Sequence, residues 1–100
     1  MWQLYLACFF GGFLGANGIP HFVKGTMGQK HMTPFGRPSS AVVNVIWGWV
    51  NFVVAVGLVA LVRAHVREHP VRAYGTIAIG ALVAALVLAW ASAKHPEYNK

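Results

Sequence analysis

Aspartate is absent from this chain, and the two glutamates, Glu68 and Glu97, fall in its peripheral segments. Paired carboxylates for general acid–base chemistry therefore have no candidates. The same holds for the membrane-embedded carboxylate on which proton-coupled transport generally relies. Cysteine is nearly absent too. Cys8 stands alone, forms no internal disulfide and reads as a small apolar filler. The serines Ser39 and Ser40 precede an apolar run and are accounted for as helix caps, so no activated nucleophile is apparent and an enzyme is not expected. Charge of either sign is scarce: 10% of the residues, where a soluble domain carries about 25%.

Where the charges are missing is more telling than how few they are. Three runs contain none: residues 1–23, 41–62 and 73–93. At ~1.5 Å per residue each is long enough, as a helix, to cross a hydrocarbon slab of ~30 Å. The sequence thus predicts an all-α, polytopic integral membrane protein of three transmembrane helices, a single membrane domain over 1–100, with the bilayer as its first partner. The first run has no basic n-region and no small-residue cleavage site, so it reads as a span rather than a signal.

The formal charge of +6 is placed near the span ends, where it meets lipid headgroups; no basic stripe interleaved with aromatics supports nucleic-acid binding. Lys24, Lys30, Arg37, Lys94 and Lys100 fall on one side, Arg63, Arg67 and Arg72 on the other. Positive residues stay cytoplasmic, so the expected orientation is N-out, C-in, in a bacterial inner membrane. Trp2, Tyr5, Tyr74 and Trp90 stand near span ends, as interfacial aromatics do.

Breakers set the expected organisation. Gly18 and Pro20 predict that the first helix kinks or stops near Asn17, leaving His21 close to the interface. Residues 24–38, rich in glycine and proline, read as a long loop without regular structure, with a turn at Thr33-Pro34-Phe35-Gly36. The second helix is expected to start at a serine cap and to run past the membrane to about His69, making it the longest. Pro70 then ends it or opens the next helix, so that spans two and three form a tight helical hairpin. Small residues at four-residue spacing mark packing faces: Gly11 and Gly15 in the first span, Gly80, Ala81, Ala85 and Ala89 in the third. One hairpin does not need so many, which points to self-association or to another membrane subunit.

The polar residues within the spans are the candidate site. At ~100° per residue Gln3, Phe10, Asn17 and His21 share one ~40° sector of the first helix. Asn44, Trp47, Gly48, Asn51 and Ala55 form a stripe on the second. A buried amide is costly in hydrocarbon unless satisfied, so Asn17, His21, Asn44 and Asn51 are expected to converge, with His31 and the 25–36 loop closing over them.

Three functions compete. The first is an accessory or structural subunit of a homo-oligomer or larger membrane complex. The second is a binding or transport module for a small solute, lipid or quinone at Asn17, His21, His31, Asn44 and Asn51. The third is a redox subunit with a metal held by Asn17, His21 and His31, or a haem between the two histidines; the first two need no cofactor. The run His65-Val66-Arg67-Glu68-His69 matches H-x-x-E-H, but its helix ends at Pro70 and the later acid, Glu97, lies across a span. No metalloprotease can be assembled from it within one chain.

Overall fold

The computed structural model describes residues 1–34 and 36–94, and nearly all of the chain is helical. The order is α1 (Trp2–Thr26), β1 (His31–Thr33), β2 (Gly36–Ser39), α2 (Ala41–Leu61), α3 (Arg63–Glu68) and α4 (Pro70–Lys94). Helices α1, α2 and α4 are each long and apolar enough to cross a membrane. Of the sequence expectations, the Phe35 position of the proposed turn, Glu97 and Lys100 lie outside the described residues.

Local signals explain most of the ends. Ser40 caps α2, its hydroxyl accepting from the Val43 amide at 3.2 Å. Pro70 is the first residue of α4, where a missing N–H costs nothing. At the end of α1, the Gln29 amide donates to the Lys24 carbonyl at 2.8 Å and the Gly28 amide to Gly25 at 3.0 Å. Gly28 itself sits at φ +73°, completing a Schellman cap.

Four expectations are corrected. First, α1 does not stop near Asn17; it runs through Pro20 to Thr26. The carbonyl that Pro20 leaves without a donor is tolerated because the flanking turns are held by packing: a Cβ on Gly18 would meet Gly48 and Phe52, and one on Gly25 would meet Ala41 and Val45. Second, 24–38 is not irregular throughout. It holds a small antiparallel hairpin, β1–β2, pairing His31 with Ser39 and Thr33 with Gly36, so the all-α description needs this exception. Third, the second helix is not the longest, at 21 residues against 25 for α1 and α4. It breaks at Val62, whose side chain enters a cluster with Leu4, Cys8 and Ala73; the Arg63 guanidinium satisfies the Ala60 carbonyl at 3.1 Å.

The fourth correction concerns the hairpin of spans two and three. Linked by α3, α2 and α4 scarcely meet; each packs instead on α1, which is the centre of the bundle. Two sets of glycines make this possible. Gly11, Gly18 and Gly25, seven apart, face α2, while Gly12 faces α4. A Cβ on Gly12 would overlap the Ile77 carbonyl, and one on Gly80 would overlap that of Phe9. Backbones therefore touch, which is how helices gain contact where lipid supplies no hydrophobic drive.

Candidate functional site

The α1–α2 seam carries the polar residues. Asn17 and His21 are one turn apart on α1; Asn44 and Asn51 are two turns apart on α2. The Asn17 amide nitrogen donates to Asn51 Oδ1 at 3.1 Å, and His21 Nδ1 lies 2.9 Å from Asn44 Oδ1. The expected convergence of the four is therefore present. Asn44 is fully buried, and His21 is 4% exposed. Gln3, in the same α1 sector, is not part of the cluster. It lies exposed at the far end, accepting from the N-terminal ammonium at 3.3 Å.

Asn44 also builds the roof. Its Nδ2 donates towards the carbonyls of His31 (3.1 Å), Ser39 (3.2 Å) and Ser40 (2.9 Å), sharing two hydrogens among three acceptors. That places the β1–β2 hairpin over the α1–α2 seam and brings the His31 ring, 3% exposed, against His21 at a centroid distance of 4.8 Å. The hydroxyls of Thr33 and Ser39, both buried, hydrogen-bond across the two strands.

Between the hairpin, α1, α2 and the end of α4 lies a cleft of about 420 Å³. Asn17, His21 and His31 line one side; Trp47, Leu88 and Ala91 supply apolar wall. Nothing in the sequence pattern singled out the α4 contribution, since Leu88 and Ala91 look like any other lipid-compatible residues. A larger groove of about 570 Å³ runs between α2 and α4 over Gly11, but its walls are valine and alanine with Arg63 and Arg67 at its mouth. No buried polar side chain faces it among the described residues, so the smaller cleft is the better candidate for recognition.

Asn51 is satisfied within the seam, its Nδ2 donating to the Trp47 carbonyl at 2.8 Å. Gly11 and Gly80 lie in tight helix contacts, Gly15 approaches Ala55, and Ala81 lies beside Gly12. Ala85 and Ala89 are exposed on the outer face of α4, where no part of this chain covers them. For a metal, the cluster offers two imidazoles and an amide; no group of three histidine, cysteine or acidic residues gathers among the described residues. The two rings touch, so no macrocycle fits between them as a bis-histidine haem requires. Comparison with family models, curated proteins and solved structures gives no match.

Proposed function

We propose that the chain is an integral membrane protein that binds a small amphipathic molecule in the cleft beneath the hairpin. Its membrane location is supported by the outer surface, where α2 exposes Ile46, Trp49, Val53 and Val56 and α4 exposes Ile79, Leu82, Leu86 and Trp90. Contiguous apolar cover of that extent suits lipid rather than water. By the positive-inside rule the cleft end, which carries Lys24, Lys30 and Lys94, faces the cytoplasm.

The observation that carries the reading is His21. A histidine this buried, held by one nitrogen and lining a cleft of mixed polarity, supports recognition of a polar head whose apolar remainder lies along Trp47 and Leu88. The test is native mass spectrometry of protein released from its own membranes. A bound small molecule present on the wild type and lost on Ala91→Phe, which fills the cleft, is the expected result. Retention of the same mass by the variant, or no bound mass on either, sinks the reading.

A second reading, an accessory subunit in a homo-oligomer or larger complex, draws on the uncovered Ala85 and Ala89 face of α4. Cross-linking from Ala89 in native membranes tests it, through a discrete product or none.

A further inference from the structure

The hydrogen bonds around the cleft fix the polarity of what it presents, and hence the chemistry of its ligand. Asn44 Nδ2 is surrounded by three carbonyls, so it can only be the nitrogen of that amide, and Oδ1 must be the atom facing His21. An amide oxygen only accepts. His21 Nδ1 therefore carries the proton and donates, which leaves the neutral ring with a bare lone pair on Nε2. His21 has no further hydrogen bond among the described residues, and its ring lines the cleft.

The second pair follows the same logic. Asn51 Nδ2 donates to the Trp47 carbonyl, so Asn51 Oδ1 is the acceptor facing α1, and Asn17 must present its nitrogen there. Asn17 Oδ1 is then left over, on a half-buried side chain that lines the same cleft one helical turn from His21. Two side chains on one face of α1 thus offer two acceptors. Thr33, Ser92, His31 and Trp47 also line the cleft. A hydroxyl serves either role, a neutral His31 ring brings one donor and one acceptor nitrogen, and Trp47 has a contact of its own, so the two α1 acceptors tip the balance.

Building on the cleft reading above, we propose that the ligand is a neutral molecule whose head donates hydrogen bonds, a phenol, hydroquinone or alcohol on an apolar body. Asn17 Oδ1 and His21 Nε2 are the atoms that receive its hydroxyls. A quinone or ether, which only accepts, faces two lone pairs and gains no bond from either. A carboxylate or phosphate meets the same two lone pairs. An ammonium has the donors, but Lys24, Lys30 and Lys94 stand at this end of the bundle, and Glu68, the one acid among the described residues, is at the other.

The experiment is a competition in lipid nanodiscs under anaerobic conditions, read by native mass spectrometry. Equal mole fractions of decylhydroquinone, decylbenzoquinone, the hydroquinone dimethyl ether and decylamine are offered to the full chain. The hydroquinone adduct should exceed each of the others by about tenfold, the weight of one net hydrogen bond of ordinary strength. Asn17→Leu should bring the hydroquinone towards parity with the ether, while Ala91→Phe should lose every adduct. Quinone or ether binding as well as hydroquinone, or decylamine binding best, overturns the polarity assignment and leaves the cleft standing. Adducts that persist on Ala91→Phe, or none on the wild type, overturn the cleft itself and this inference with it. The wild-type competition decides the polarity even if Asn17→Leu folds poorly.

Discussion

On one side of α1, Gly12 and Gly80 bring two helix backbones into contact, so that α4 is held by close approach. On the other side, α2 is joined through glycines as well, Gly18 against Gly48, but two side-chain hydrogen bonds also cross that seam, Asn17 to Asn51 and His21 to Asn44. The glycine contacts maximise dispersion where lipid offers no hydrophobic drive. The amides add little net energy there, about 0.6 kcal/mol per bond, yet they fix where the hairpin sits and which imidazole nitrogen reaches the cleft. Adhesion is shared by both faces of α1, whereas placement belongs to the α2 face alone.

The comparison breaks most visibly at Gly12. Gly12→Leu, or even Gly12→Ala, puts carbon where the Ile77 carbonyl stands, and backbone cannot yield as a side-chain tip can. Loss of the folded monomer is expected, by several kcal/mol on the overpacking scale, read as aggregation or a collapsed melting temperature in mild detergent. Gly75→Ala on α4 meets nothing within 4 Å and should leave the protein as stable or slightly more so. Equal damage from the two would remove close approach as the explanation.

Asn44→Leu comes next. It strips the donor from two hairpin carbonyls and that of Ser40, and the acceptor from His21, at a cost of about 2–3 kcal/mol. The damage should be local: hydrogen exchange and proteolysis should rise at His31–Ser39 while the α1–α4 contact stays protected. Uniform loss of protection would mean that Asn44 supports the whole bundle instead. Ser40→Ala removes the α2 cap and should cost about 1 kcal/mol in thermal or denaturant unfolding. Asn51→Leu should cost least, ~0.6 kcal/mol, because it breaks one interhelical bond in a seam that Gly18 and Gly48 still close. A penalty as large as that of Asn44→Leu would contradict the division between placing and holding.

Much of this was legible in the residues. Charge-free runs locate three helices, Ser40 and Pro70 mark two helix starts, and four amide or imidazole groups in apolar runs have to meet. What escaped depends on contacts between distant residues. Pro20 reads as a stop, yet packing of Gly18 and Gly25 on α2 carries α1 past it. Val62 carries no breaker, yet its burial against Leu4 and Ala73 bends the chain there. The four-residue spacing of Gly11 and Gly15 is obvious, whereas the seven-residue ladder Gly11, Gly18, Gly25 that faces α2 is recognisable only once α2 is in place. The hairpin is short, and its register answers to Asn44 rather than to any strand pattern of its own.

The most direct test of that division is the proton on His21. Nitrogen-15 NMR of the protein in bilayers, with histidine labelled and the His21 resonances assigned by their loss in His21→Gln, reports which ring nitrogen is protonated in the neutral ring. Protonated Nδ1 and bare Nε2 is the expected result, with Nε2 shifting when decylhydroquinone is added. A proton on Nε2 would require the Asn44 amide to be turned over, taking its donor away from the hairpin carbonyls and contradicting both the roof and the acceptor it presents to the cleft.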